Sequence, residues 1–269
     1  MAPPLPWDEP GLLFVRRRAT HPTLGNVGAM TKILAHRGAS AYAPENTLPA
    51  FELALEQGAD GFELDVHLTK DGEIVVIHDE TVDRTAKGEG RVVDLTLAEL
   101  REMDFSAGLD GYANCTIPTL REVLELVVGT DKYVNIELKN NIEPYVDLPQ
   151  KLDALVASLN LAGQVIYSSF NHYSVRDIIA AGTPVPVGVL HHDMLVEPWE
   201  YAVKLGAQAL HPHYGLVAVN ADYVPQSHEA GLQVNVWTVN DPGHIALMLQ
   251  DQVDAVITNH PDVAVGLRG

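Results

Sequence analysis

From residue 32 onward the chain alternates short apolar runs with longer amphipathic stretches, and the two periods predict strands and helices in turn. Runs over 33–36, 62–66, 133–138, 165–169, 185–190, 207–211, 233–239 and 255–258 read as strands. Helical patterns lie between them over 46–57, 120–128, 148–161, 173–181, 198–205, 221–230 and 242–250, and only a short tail follows the last strand. In the first helix Asn46 is the expected cap, Pro49 sits in the first turn, and Leu48, Phe51 and Leu55 share an apolar face that Gly58 closes. Eight strands in this alternation predict an α/β fold, a (β/α)8 TIM barrel, with a doubly wound open sheet as the alternative.

Three stretches break the rhythm. After the second strand, Lys70-Asp71-Gly72 separates Val66 from Ile74 by too few residues for a parallel crossover, so 74–77 must fold back as a hairpin. Counting back from a turn near Asp71 sets His78 level with Leu64. Residues 80–118 are rich in Thr, Gly and Asp, carry one short helical pattern over 97–103, and read as a small insertion behind that hairpin. Residues 1–30, with four prolines in the first ten and no apolar period, read as a flexible extension outside the barrel domain of 31–269. Their apolar run Leu12-Leu13-Phe14-Val15 is too short for an export signal, Arg16 to Arg18 follow it where they should precede, and Met30 is the expected functional start.

Composition narrows the function. With 269 residues, 46% of them apolar, and no long apolar run, the chain is expected to form one soluble domain without membrane insertion. A formal net charge of -19 argues against nucleic acid or an anionic membrane as partner and favours a small ligand. The single cysteine, Cys115, excludes an intrachain disulfide and is compatible with the cytoplasm.

The second strand carries the densest chemistry. Its period of two sends Glu63 and Asp65 to one face and Phe62, Leu64 and Val66 to the other. Two carboxylates in so small a space imply an acid/base device or a metal site. Polar groups gather at the ends of the other strands as well: His36-Arg37-Gly38, Glu137 with Lys139, Ser168-Ser169-Phe170, His211, and Trp237-Thr238. Strand C-termini are where this fold places its active sites.

These residues stand in an ordered series: His36-Arg37-Gly38, Pro44-Glu45-Asn46-Thr47, Glu63-Leu64-Asp65-Val66, Thr69-Lys70-Asp71-Gly72, His78-Asp79, Ile117-Pro118-Thr119-Leu120, Glu137-Leu138-Lys139, Trp237-Thr238-Val239-Asn240 and Asp254-Ala255-Val256-Ile257-Thr258. The series resembles that of the glycerophosphodiester phosphodiesterases from about residue 32 to the C-terminus, and the short insertion looks like that of their compact bacterial cytosolic members. The resemblance implies hydrolysis of glycerophosphodiesters to sn-glycerol 3-phosphate and an alcohol. It further implies Glu63, Asp65 and Glu137 as ligands of one divalent cation, His36 and His78 as the acid/base pair, and Arg37 and Lys139 as phosphate clamps. Glu45 is expected to support the ligands or to bind through water, and Phe170, His211, Tyr214 and Trp237 to line the pocket rim.

Charge supports the cation. Three carboxylates against Arg37 and Lys139 leave -1, which repels a phosphodiester, whereas a divalent ion turns the pocket to +1. All-oxygen ligation suits Mg²⁺, Ca²⁺ or Mn²⁺. Two alternatives share the scaffold: a phosphoinositide-type phospholipase C or lysophospholipase D, which would want apolar or basic surface for a lipid interface, and a non-catalytic binding module, which would usually have lost a histidine or a ligand. The alcohol half of the substrate and the oligomeric state are left open by the sequence.

Overall fold

The structure, a computed structural model, describes residues 30–269; of the expected extension, residues 1–29 lie outside the described part. Eight parallel strands close into a barrel: β1 Lys32–His36, β2 Gly61–Leu68, β4 Tyr133–Leu138, β5 Val165–Ser169, β6 Val187–His191, β7 Ala209–Pro212, β8 Gln233–Val236 and β9 Ala255–Thr258. Pairing of β1 with both β2 and β9 completes the ring, so the open-sheet alternative is excluded. The hairpin strand β3 Ile74–Val76 runs antiparallel to β2, pairing Val66 with Val76 and Leu68 with Ile74. Continued by two residues, this register sets His78 level with Leu64.

Helices α1 Leu48–Glu56, α3 Leu120–Glu125, α4 Leu148–Ser158, α5 His172–Ala180, α6 Pro198–Leu205, α7 Tyr214–Val219, α8 Tyr223–Glu229, α9 Pro242–Gln250 and α10 Pro261–Arg268 complete the βα rhythm. The outward residues of β2 pack under α1, where the Phe51 and Phe62 rings lie 4.6 Å apart. Burying each such side chain contributes about 1.5–3 kcal/mol. Leu34, Ala255 and Ile257 form a separate apolar cluster, against which Tyr133 and Trp237 pack.

The insertion of residues 80–118 holds α2 Leu97–Arg101 and a short 3-10 turn, Val92–Asp94. It carries its own apolar cluster of Val82, Val92, Leu100, Phe105 and Ile117, packed on Val75 and Ile77 of the hairpin. Capping boxes start both α2 (Thr96 with Glu99) and α3 (Thr119 with Glu122).

Three expectations are corrected. The tail is a helix, α10, begun by Pro261 and tied to the start of β1 by Arg268, which donates to the Thr31 carbonyl at 3.1 Å. Helix α7 has no counterpart in the sequence pattern because Tyr214, Gly215, Leu216, Val217 and Ala218 are all buried, which erases the polar face that marks a helix. Asn46 is not the cap of α1; Thr47 takes that position, and Asn46 is turned inward with φ 57°.

Candidate active site

The carboxylates come from two neighbouring strands. Alternation points Glu63, Asp65 and Glu137 into the barrel, and the register pairs Asp65 with Glu137 and His36 with Glu63. One oxygen from each of Glu63, Asp65 and Glu137 lies within 4.8 Å of the others. Burial, with the charges of Asp65 and Glu137 beside it, pushes the Glu63 carboxyl well above its ordinary range. Burial and Asp65 likewise raise Glu137, against the opposing pull of Lys139. Burial would also raise Asp65, but Arg37, His78, Lys139 and the Asn46 amide outweigh it and hold the group below its ordinary range. The buried Asp65 Oδ1 has no hydrogen-bond partner. Carboxylates destabilised by one another around an unpaired oxygen fit a hard divalent cation.

Two cations flank this group. Lys139 Nζ donates to Glu137 Oε1 at 2.9 Å and to His78 Nε2 at 3.2 Å, and lies 3.9 Å from Asp65 Oδ1. Arg37 sets Nε 3.3 Å from Asp65 Oδ2 and donates from Nη1 to Glu45 Oε1 at 3.0 Å. The loop that carries Arg37 is strained: Arg37 and Asn46 both have φ 57°. At Gly38, with φ +80°, a Cβ would lie 2.6 Å from the Ala50 backbone, so this loop can press against α1 only with glycine there. Asn46 then reaches back to donate to Asp65 Oδ2 at 2.9 Å.

The two imidazoles sit at opposite ends of the carboxylates and have different partners. His36 Nδ1–H donates to Asn259 Oδ1 at 2.6 Å, which leaves Nε2 facing Glu63 Oε2 at 4.0 Å and the Thr238 hydroxyl at 3.5 Å. His78 Nδ1–H donates to a carboxylate, Asp79 Oδ1, at 2.5 Å. Its backbone carbonyl accepts from His67 Nε2 at 3.1 Å, and His67 in turn meets the Tyr145 hydroxyl at 3.0 Å. Burial alone would raise Asp79; hydrogen bonds from Arg84 and His78 overcome it and bring the carboxyl down to about 2. Glu45 lies between the guanidiniums of Arg37 and Arg84.

Aromatic rings cluster just beyond the ends of β5 and β8. The rings of Phe170 and Trp237 meet edge to face at 5.4 Å, and His192 and His213 extend the cluster on either side. The rim position expected for His211 is corrected. It is fully buried inside the barrel, where Asn235 Nδ2 donates to its Nε2 at 3.0 Å, and burial with nearby His191 lowers it to about 3. A side chain at Gly188 would collide with this ring, so glycine makes its room. Tyr214 is also buried, at the start of α7. Sequence reasoning missed Asn259, Arg84 and His67, and gave no role to Asp79 although it follows His78 directly.

The chain matches the Glycerophosphoryl diester phosphodiesterase family over residues 36–263. It is 44% identical over 240 residues to a glycerophosphodiester phosphodiesterase of Caldanaerobacter subterraneus subsp. tengcongensis, covering 88% of this chain and 97% of the relative. A Bacillus altitudinis enzyme of the same description is 39% identical, with 89% and 98% covered. Among solved structures, a glycerophosphodiester phosphodiesterase from Agrobacterium tumefaciens superposes with a TM-score of 0.79 at 32% identity, covering 88% of this chain and 100% of that one. A phosphodiesterase of Oleispira antarctica, solved with its product sn-glycerol-3-phosphate, superposes with a TM-score of 0.77 at 30% identity over 88% and 96% of the two chains.

Proposed function

Because this chain belongs to the glycerophosphoryl diester phosphodiesterase family and is a glycerophosphodiester phosphodiesterase, we propose that it releases sn-glycerol 3-phosphate through a histidine pair, with His36 as base and His78 as acid. The observation that carries this division is the difference between the two Nδ1 partners, an amide oxygen for His36 and a carboxylate for His78. A carboxylate behind the ring stabilises an imidazolium, the form that gives a proton away, whereas an amide only orients a neutral ring with its Nε2 lone pair free to accept one.

Glu63, Asp65 and Glu137 would hold a divalent cation, Mg²⁺ or Ca²⁺, which supplies Lewis-acid stabilisation of phosphate charge when bound. Arg37 and Lys139 neutralise and orient the phosphodiester from either side. His36 Nε2 takes the proton of the attacking hydroxyl as its oxygen bonds to phosphorus. Once Lys139, its present partner, has turned to the phosphate, His78 Nε2 takes up a proton from solvent, and it gives that proton to the leaving oxygen as the bond from phosphorus to this oxygen breaks. Phe170 and Trp237 receive the apolar faces of the substrate. The cytoplasm is the compartment this reading assigns. A lipid-interface phospholipase reading draws no support from so acidic a chain.

The test is leaving-group dependence. His36→Ala and His78→Ala should each lower kcat by at least ~10²-fold on glycerophosphodiesters with alkyl leaving groups, with modest change in KM. On a p-nitrophenyl diester, whose leaving group needs no proton, His78→Ala should recover most of its loss and His36→Ala should not. Recovery of neither, or of both alike, would overturn the assignment. Release of glycerol 3-phosphate should stop with chelator and return with Mg²⁺ or Ca²⁺.

A further inference from the structure

The insertion delivers one residue to the site, and it does so from a packed turn. Val82 is fully buried in the insertion's apolar cluster, and the Thr85 carbonyl accepts from Ala107 N at 3.2 Å, so the residues flanking 84 are fastened. From that turn Arg84 spans two carboxylates. Its Nε and Nη2 donate to Asp79 Oδ2 at 2.6 Å and Oδ1 at 3.1 Å, and its Nη1 and Nη2 donate to Glu45 Oε2 at 2.7 Å and Oε1 at 2.8 Å. Each carboxylate has a second partner in the site. Asp79 Oδ1 accepts from the His78 ring at 2.5 Å, and Glu45 Oε1 accepts from Arg37 at 3.0 Å.

We infer that Arg84 is a positioning residue: it fixes the Asp79 carboxylate, and through it the His78 ring, while it restrains Glu45 so that Arg37 stays turned toward the phosphate. The inference rests on the roles given above to His78 and Arg37. A carboxylate that is only half buried can rotate into water, and one hydrogen bond from an imidazole does not prevent this; a two-point contact from a guanidinium leaves it one orientation. Glu45 without Arg84 would have Arg37 as its remaining guanidinium partner and would draw it away from the orientation the transition state needs. Lysine cannot replace this residue, because a point charge cannot make the same pair of two-point contacts. The insertion thereby carries the clamp that keeps one acid/base group and one phosphate ligand in register.

Arg84 is about half exposed, with 48% of its side chain accessible, so its loss should leave folding intact. In the full chain Arg84→Ala should lower kcat about 10- to 100-fold on a glycerophosphodiester with an alkyl leaving group, with KM changed less than about threefold. Arg84→Lys should recover little of this, and added guanidinium should restore part of the loss in Arg84→Ala. In an Asp79→Asn background Arg84→Ala should lose the larger part of its effect and keep only the part that runs through Glu45 and Arg37. Losses that multiply would mean that Arg84 does not act through Asp79, and a rise in KM alone would mean that it touches the substrate; either outcome overturns the inference. A second readout needs no turnover. The low-field proton of the His78 Nδ1–H, held on a short bond to Asp79, should move upfield in Arg84→Ala, and an unmoved signal overturns the inference. If His78→Ala left kcat unchanged, the assignment of the acid would fail while this resonance still reported the contact. If His78→Ala impaired kcat but Arg84→Ala changed neither kcat nor the resonance, the inference alone would fail.

Discussion

The barrel strands and the insertion both place charged groups in the active site, and they do it by different physical means. On β2 and β4 the placement is a property of the strand itself: alternate side chains face inward, neighbouring strands fix the register, and Glu63, Asp65 and Glu137 converge without help from loops. In the insertion, Arg84 sits on an irregular turn, and its position depends on a small apolar cluster elsewhere in the same segment. Strand-borne groups should therefore be insensitive to nearby packing and sensitive to their own chemistry. Arg84 should be sensitive to both.

The largest effect expected from this contrast falls on the strands. Glu63→Gln removes one anionic ligand while keeping shape, and should lower kcat/KM by about 10³-fold and weaken Mg²⁺ or Ca²⁺ binding by at least ~10-fold. Titration calorimetry measures the second quantity directly. Raised cation concentrations should restore part of the activity, and the melting temperature of the cation-free protein should not fall, because the substitution removes a charge that its neighbours repel. Unchanged cation affinity would take Glu63 out of the ligand set.

A smaller and different effect belongs to the insertion. Leu100 is fully buried in its cluster, so Leu100→Ala leaves a cavity worth about 2–5 kcal/mol. Because that cluster holds the turn behind Arg84, kcat should drift toward the value of Arg84→Ala while cation affinity stays at the wild-type value. Denaturant melts followed by kcat and by calorimetry at the same protein concentration would separate the two. A loss of cation binding in Leu100→Ala would mean that the insertion and the strands form one unit, and the contrast would not hold.

The same contrast explains what could be read from the amino-acid order. Period-two alternation alone directs Glu63, Asp65 and Glu137 inward, and a count through the Lys70-Asp71-Gly72 turn brings His78 level with Leu64, the register that the β2–β3 pairing continues. Asn46 resisted the same logic. An Asn before a helix usually caps it, and only the tight Gly38 loop pressed on Ala50 turns this one toward Asp65. His211 occupies a strand position like those of the active groups, yet it serves a buried hydrogen bond with Asn235, and the missing volume at Gly188 that admits it lies on another strand. Arg84 and Asn259 depend on contacts 39 and 223 residues away, a separation that no local pattern encodes. Helix α7 was hidden for the opposite reason, since Tyr214 to Ala218 are all buried and the helix has no polar face to mark it.

The smallest effect expected lies outside both regions and sets the background against which their pH profiles are compared. At the end of α8, His228 Nε2 donates to Asp254 Oδ2 at 2.8 Å, and this carboxylate also accepts from Val234 N of β8 at 2.8 Å. The hydrogen bond to Asp254, against some burial, raises the His228 imidazole above its ordinary value. A histidine raised on folding binds its proton more tightly in the native state, so its contribution to stability is fully present below the unfolded pKa near 6.5 and is lost as pH rises through the higher folded value. His228→Gln should thus lower the melting temperature at pH 5.5 and have almost no effect at pH 9. A third of the ring is open to solvent, which keeps the difference below about 1 kcal/mol. Thermal melts of the two proteins across that range, each with saturating Mg²⁺, measure the difference. A gap that widened toward high pH would reverse the sign of the shift, and the pair with Asp254 would have to be replaced by a neutral contact.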